Sequence, residues 1–426
     1  MDARIKELGV LILTTATAIG NFLWFGLAHY RTWSDAQEYN AYATHLVQNG
    51  LYSFDGAHFD IAREPGYPFF LAIIYKFFGA GNLLAACFIQ ALLLGIIGYL
   101  VYKIFKEYGK GTVGIAAGVV VSALPAYGYY ANELLTELLF ACILSLLFFI
   151  AARILHSRGD ASWRWYILFG LLCGYAALVR VQFLFFAPFI IFCFFIFLRP
   201  FSRIVAQKTL ATFVLSFLVV GAWGAFVQKQ TGHFAITSGR QESVIHIRAV
   251  RAQLTYGELT QYAAEWVKRS VSGGSHFALL DENEAKGISE RYFAIATSGE
   301  TVAEIEHEDI AAIRSHMGQY LYGNMIEVMK MLYVEHDYTD SQSRYFRPTE
   351  YALLYLFFIF GLYHIVRNWN SKDMRAFAIL ALLFPAYNLL ILSFFDTVPR
   401  FNTPYLIFYL IIGFIGVSLW KQRMKA

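Results

Sequence analysis

The sequence predicts an all-α polytopic membrane protein of about ten transmembrane helices, with juxtamembrane helices and a small helical domain on the outer face. Three observations predict it. Of 426 residues, 58% are hydrophobic and only 15% are charged, with a mean hydropathy of +0.49. A soluble chain of this size cannot hide so much apolar surface. The apolar residues gather in runs long enough to cross a bilayer, and positive charge falls at alternate ends of those runs.

The spanning runs lie at roughly 8–29, 82–102, 112–128, 133–152, 165–180, 183–198, 209–227, 351–366, 376–394 and 405–420. Arg4 and Lys6 precede the first, and no small-residue cleavage site follows it, so it reads as an uncleaved signal anchor. The stretch from Phe69 to Phe78 is apolar but too short to cross; it reads as a re-entrant or interfacial helix.

With the N-terminus inside, every short inner loop is basic: Arg4 and Lys6; Lys103, Lys106 and Lys110; Arg153, Arg158 and Arg164. The series continues with Arg199, Arg203 and Lys208; Arg367, Lys372 and Arg375; Lys421, Arg423 and Lys425. The positive-inside rule then puts both termini in the cytoplasm of a cell with the chain in its inner (plasma) membrane, and 33–68 and 228–350 outside. The expected divisions are a transmembrane core at 1–227 with an outer loop at 31–80, an outer helical domain at 228–350, and C-terminal spans at 351–426.

The net charge of +4 reflects this topology and points to no nucleic-acid partner. Cys87, Cys142, Cys173 and Cys193 all lie in apolar runs, none at metal-ligand spacing. They read as small buried hydrophobes, and no metal site is expected. In 228–350, QESVIHIRAVRAQL, GELTQYAAEWVKRSV, ENEAKGISERYFAIA and the segment 301–334 read as amphipathic helices separated by Gly-Gly and Ser-Gly turns. They suggest a cap resting on the outer membrane surface.

The loop from Trp33 to Pro68 is where chemistry is expected. Ser34 can cap a helix, with Gln37 completing a capping box, and Asp35 and Glu38 then suit the first turn. Tyr39, Tyr42, Ala43 and Leu46 form a face that could lie on the bilayer, and Gly50 is a natural stop. The loop closes on Arg63-Glu64-Pro65-Gly66-Tyr67-Pro68. Asp35 has two readings, a helix-terminal charge or a reacting group.

The other outward ionisable residues are few. Asp55, His58 and Asp60 share the first loop; Glu133 and Glu137 open the fourth span one turn apart; Arg180 lies between the fifth and sixth; Asp396 and Arg400 sit in the last outer loop. Glu133 and Glu137 also suit a helix N-terminus, and Arg180 could snorkel. Yet Arg180 and Arg400 run against the charge bias of the short outer loops, which argues for an anionic partner.

Arg63, Arg180 and Arg400 on one face can hold a phosphate at the bilayer edge. A carboxylate just beyond the first span can act as a general base on a hydroxyl. Aromatic-rich walls suit a lipid tail. This is the layout for moving a sugar from a lipid phosphate to an acceptor. The competing reading is a transporter or flippase for a lipid-linked glycan. It predicts paired broken spans and ionisable groups at the midplane, whereas here the charges gather at one edge and the two halves do not mirror each other.

Asp35 with Tyr39, the Arg63–Pro68 turn, ANELLTELLF (Asn132 to Phe140), GYAALVRVQFLFFAP (Gly174 to Pro188) and PRFNTP (Pro399 to Pro404) together resemble the GT-C superfamily of membrane glycosyltransferases. The likeness is to bacterial relatives of protein O-mannosyltransferases and of lipid A aminoarabinose transferases, over residues 1 to about 200 and again at about 376–420. It implies an inverting, metal-independent transfer from a polyprenyl-phosphate sugar to a hydroxyl of a glycan, lipid or protein acceptor. It implies no cofactor; a divalent-cation requirement is left to experiment. Asp35 maps to the catalytic base and Arg63 to the donor phosphate, joined by Arg180 and Arg400. Glu38, Tyr39, Glu64, Tyr67, Glu133 and Glu137 would contact substrate. Two departures leave the acceptor class open. Glu64 stands where the aminoarabinose enzymes have a Lys before the proline, and the acid that follows Asp35 is Glu38, only three residues on.

Overall fold

A computed structural model of the protein describes residues 3–25, 35–197, 202–237, 245, 248–272, 302–332, 343–369, 372–394 and 399–424. All the described elements are helices. The chain divides into two compact units. One comprises Met1–Thr237, Ala352–Tyr387 and Thr403–Ala426; the other comprises Ser238–Tyr351 and Asn388–Asn402.

The first unit begins with α1 (Ala3–Trp24), α2 (Asp35–Asn49), α3 (Gly66–Phe78), α4 (Leu83–Glu107), α5 (Gly111–Ser122) and α6 (Pro125–Ala131). It continues with α7 (Glu137–His156), α8 (Trp163–Val179), α9 (Phe186–Phe197) and α10 (Arg203–Thr231). Local chemistry sets several ends. Asn82 caps α4 by accepting from Ala85 N at 3.1 Å, and Ser202 caps α10 by accepting from Val205 N at 3.2 Å. Gly50, at φ +70°, ends α2 as expected, its N–H bonded to Leu46 O at 3.1 Å.

Helix α4 packs against α1, α5 and α7, while α8 pairs with α10, and α3 touches both α4 and α8. Later segments of the chain close this unit. In α15 (Lys372–Phe394), Phe377 and Phe384 meet Phe148 of α7, and α16 (Leu406–Arg423) adds Phe408 to the same cluster. The second unit contains α11 (Tyr256–Ser272), α12 (Val302–Ser315) and α13 (Met317–Leu332), and α14 (Ser343–Arg367) leads back to the first.

Among the described residues, seven helices are long and apolar enough to cross a membrane, and an eighth span is formed if α5 and α6 count as one. Ten were expected, and the difference has identifiable causes. Pro125 lacks a backbone N–H and opens a new helix, so 112–128 becomes a pair bent by 52°. Arg180 adopts extended backbone, φ −145° and ψ 109°, which ends α8 after 17 residues and leaves Val181–Cys193 as another short apolar helix. At 1.5 Å per residue, α8 still reaches about 25 Å. The expected short helix after Pro68 is α3, with 13 residues; Ile73, Phe77 and Phe78 are exposed on it.

Two other expectations change. The face of α2 bearing Tyr39, Tyr42 and Ala43 is buried in protein and does not lie on the bilayer. Tyr42 stacks on Tyr52 at 4.6 Å and donates its hydroxyl to Asp60, while Tyr52 packs against Trp223 of α10. And α7 starts at Glu137, so Glu133 lies in the turn before the helix and does not open it one turn ahead of Glu137. The Ser34 cap and the helix at 282–296 fall outside the described residues.

Candidate functional site

Helix α2 presents Asp35 and Glu38 from its first turn, three residues apart and so on neighbouring positions of one face. The Arg63–Pro68 turn returns beneath them because its backbone is held at several points. Tyr52 donates its hydroxyl to Arg63 O at 2.9 Å, Thr237 Oγ1 donates to Ile61 O at 3.0 Å, and Tyr175 of α8 donates to Gly66 O at 2.9 Å.

Gly66 permits this approach. A Cβ built there would lie 2.6 Å from Val179 Cγ2, 2.7 Å from Val179 N and 2.8 Å from Leu178 C. Two of these atoms are backbone and cannot swing aside. A Gly66→Ala chain should therefore lose about 1–3 kcal/mol from overpacking, read as a lower melting temperature of the detergent-solubilised protein. An unchanged melt would show that α3 and α8 do not meet this closely.

Arg63 is the centre of the site. Its guanidinium donates from Nη2 to Asp35 Oδ1 at 2.5 Å and to Glu38 Oε1 at 2.7 Å, and from Nε to Glu38 Oε2. It also lies over the Tyr39 ring, 5.4 Å from its centroid. Burial acts to lower the Arg63 pKa, but the Glu38 bonds and the Asp35 charge outweigh it and raise it above its usual value. Arg63 Nη1 is buried and has no hydrogen-bond partner among the described residues. One donor edge of a fully charged guanidinium is thus left for another acceptor.

Glu64 is buried beside this cluster. Burial pushes its carboxyl up, and the charges of Arg63 and Arg180 pull against that. Arg180 therefore lies near enough to act on Glu64, but its own charge is answered elsewhere. Its Nη2 meets Glu137 Oε1 at 2.8 Å, and its Nε and Nη2 both reach Thr136 Oγ1, at 2.9 and 2.8 Å. Phe140 covers its other side.

Tyr67 stands edge-on to Tyr39 at 5.1 Å and donates to Gln90 Oε1 at 2.8 Å. Gln90 in turn donates to Glu133 O, and Glu133 Oε1 accepts from Tyr129. Asp35, Glu38, Tyr39, Arg63, Glu64 and Tyr67 are thus brought together, with Arg180 and Glu137 at their side. Arg400 belongs to the second unit, and its side chain falls outside the described residues. Sequence reasoning missed Thr136, Gln90 and Tyr52, and it read Gly66 only as part of the closing turn. Gln90 alone carried a signal, as a single amide within an apolar span.

Residues 62–223 match the family model of the dolichyl-phosphate-mannose-protein mannosyltransferases. That range holds Arg63, Glu64, Tyr67, Glu133, Glu137 and Arg180 and begins after Asp35 and Glu38. No curated protein sequence matches the chain significantly. Among solved structures, the chain resembles the oligosaccharyltransferase of Archaeoglobus fulgidus tethered with an acceptor peptide, with a TM-score of 0.57 and 13% identity. That alignment covers 99% of this chain and 50% of the other. The archaeal oligosaccharyltransferase AglB, from the same organism and in complex with an inhibitory peptide and a dolichol-phosphate, aligns with a TM-score of 0.55 and 13% identity, over 99% and 51%. ArnT from Cupriavidus metallidurans aligns with a TM-score of 0.42 and 14% identity, over 97% and 77%. The chain spans about half the length of the oligosaccharyltransferases it resembles. It is a multi-pass membrane protein with the fold of these archaeal oligosaccharyltransferases, and its residues 62–223 carry the match to the mannosyltransferase family model.

Proposed function

We propose that the chain is a membrane glycosyltransferase. It moves a sugar from a polyprenyl-phosphate donor to an acceptor hydroxyl on the extracytoplasmic face, with inversion at the anomeric carbon. The observation that carries this reading is the Asp35–Arg63–Glu38 cluster, in which a buried guanidinium joins two partly accessible carboxylates that follow the first span in sequence. The dolichol-phosphate bound by the archaeal relative supports a lipid-phosphate donor.

In this reading Asp35 is the general base. Its bond to Arg63 holds the side chain in place to accept the proton as the hydroxyl oxygen attacks the anomeric carbon. The unused Nη1 edge of Arg63 takes an oxygen of the departing phosphate and stabilises the charge that develops there. Glu38 holds the guanidinium, Tyr39 borders the sugar site, and the fully buried Tyr67 backs Tyr39 edge-on. Arg180, ion-paired to Glu137, supports the cluster from beside Glu64. Because Arg63 already supplies the counter-charge to both carboxylates, transfer proceeds without a divalent cation.

Membranes containing the chain, supplied with polyprenyl-phosphate carrying labelled sugar, should move label from the organic phase into the aqueous or acceptor fraction. EDTA should leave the rate unchanged. Intact donor crossing the bilayer without cleavage would support a flippase and sink the proposal; loss of transfer with EDTA would overturn its metal-independent part.

The reading also fixes a topology, with both termini cytoplasmic and the α2–α3 loop outside an inner membrane. Gln253→Cys and Ser162→Cys chains should label from opposite sides of sealed membranes with an impermeant thiol reagent. Labelling from the same side contradicts the arrangement.

A further inference from the structure

Helix α13 of the second unit is inside out. Its buried side carries Asn324 and Glu327 beside Gly323 and Ile326. Its exposed side carries Met317, Leu321, Met325 and Met329, with no charged group among its described exposed positions. At 3.6 residues per turn, steps of four residues advance only about 40° each, so the four side chains form one continuous stripe.

The inward polar groups have protein partners. Glu327 Oε1 meets Arg251 Nη1 at 3.2 Å and accepts from the Tyr262 hydroxyl at 3.3 Å, and Asn324 Oδ1 accepts from Arg248 Nη1 at 2.6 Å. A helix facing water would reverse this pattern, with polar groups out and methionines in. The stripe is bordered by tyrosines. Tyr256 is half exposed, its hydroxyl lies over Gly318, and its ring meets that of Tyr322 at 5.5 Å. Tyrosine beside an apolar face is the composition of a membrane–water boundary.

The chain keeps this unit close to lipid. The span Arg203–Thr231 precedes it and the span Glu350–Arg367 follows it. Only ten residues separate α13 from α14, a reach of at most about 33–36 Å.

We propose that the Met317–Leu321–Met325–Met329 face is a bilayer-docking surface, with α13 lying in the headgroup–acyl boundary and this row turned into the hydrocarbon. The basis is the reversed helix and its tethers, and it stands whether or not the chain is a transferase. The surface holds the outer unit at the membrane plane.

The full-length protein in phospholipid vesicles gives the test. Single cysteines are placed at Met325 and, separately, at Leu321, with exposed Gln253→Cys as the solvent reference, and each is labelled with a nitrobenzoxadiazole dye. The four native cysteines are buried and contribute little background. An interfacial helix sits about 5–10 Å into the boundary, so spin-labelled lipids should quench positions 325 and 321, with blue-shifted emission and little quenching by iodide. Position 253 should behave in the opposite way. Iodide quenching at 325 and 321 equal to that at 253 overturns the proposal. So does resistance to both quenchers at both positions, which would mean that protein covers the face.

Discussion

An Asp35→Asn chain should reach the membrane at the wild-type level but turn over about 10²–10⁴-fold more slowly, the usual worth of general-base catalysis. Asn has nearly the shape of Asp, still suits a helix start, and can still accept from Arg63 Nη2, so the fold has little reason to change. What it cannot do is take the acceptor's proton. If Asp35 only matches the helix terminus, turnover should stay near wild type. Glu38→Gln makes an informative companion. The sequence suggests a substrate contact in the same turn, and in the structure Glu38 accepts two of the three bonds that Arg63 makes to carboxylates. Its loss should act through Arg63, lowering the melting temperature and raising KM for the donor more than it lowers kcat. The two variants therefore separate a reacting carboxylate from a positioning one.

Arg63→Ala should be damaging in two measurements at once. Removing one member of a buried ion pair leaves the others uncompensated, at a cost of about 3–5 kcal/mol. Here the Asp35 and Glu38 side chains keep 14% and 31% of their surface accessible, so the stability loss belongs at the lower end of that range. On the catalytic side, losing a charge-assisted contact to phosphate should lower kcat/KM by roughly 30- to 1,000-fold, equivalent to about 2–4 kcal/mol. Arg63→Lys should restore part of the stability but little of the rate. One ammonium cannot bridge Asp35 and Glu38 while offering a third edge to the donor. A Lys variant with full activity would remove the planar fork from the account.

The fold was legible in the sequence because the bilayer imposes simple rules. Hydropathy located the spans through α1, α4, α7, α10 and the C-terminal helices, where apolar runs are long and unbroken. It missed the breaks where backbone chemistry intervened within an apolar stretch, at Pro125 and at the extended Arg180, since hydropathy does not register a kink. The site was legible as residues but not as partnerships. Asp35, Arg63 and the Pro-Gly turn stood out as charge beside hydrocarbon. That Arg63 would meet Glu38, and Arg180 would meet Glu137 and Thr136, depends on how α2, α7 and α8 approach one another. That approach depends in turn on contacts such as Gly66 against Val179, which no local pattern announces. The face of α2 was misjudged for a related reason. An apolar helical stripe looks the same whether lipid or protein covers it, and here the cover is Tyr52 and Trp223, the latter far along the chain.

The claim on which the rest depends is that this chain cleaves a polyprenyl-phosphate sugar with Asp35 taking the acceptor proton. The direct measurement uses the purified full-length protein in detergent, given a lipid extract that contains polyprenyl-phosphate sugars together with a cell-envelope fraction that supplies glycan, lipid and protein acceptors, with released polyprenyl phosphate followed by mass spectrometry. The account predicts steady release by the wild-type chain, one equivalent for each sugar transferred, and near-complete loss of release by a folded Asp35→Asn chain. No release by wild type, or equal release by both, would contradict it.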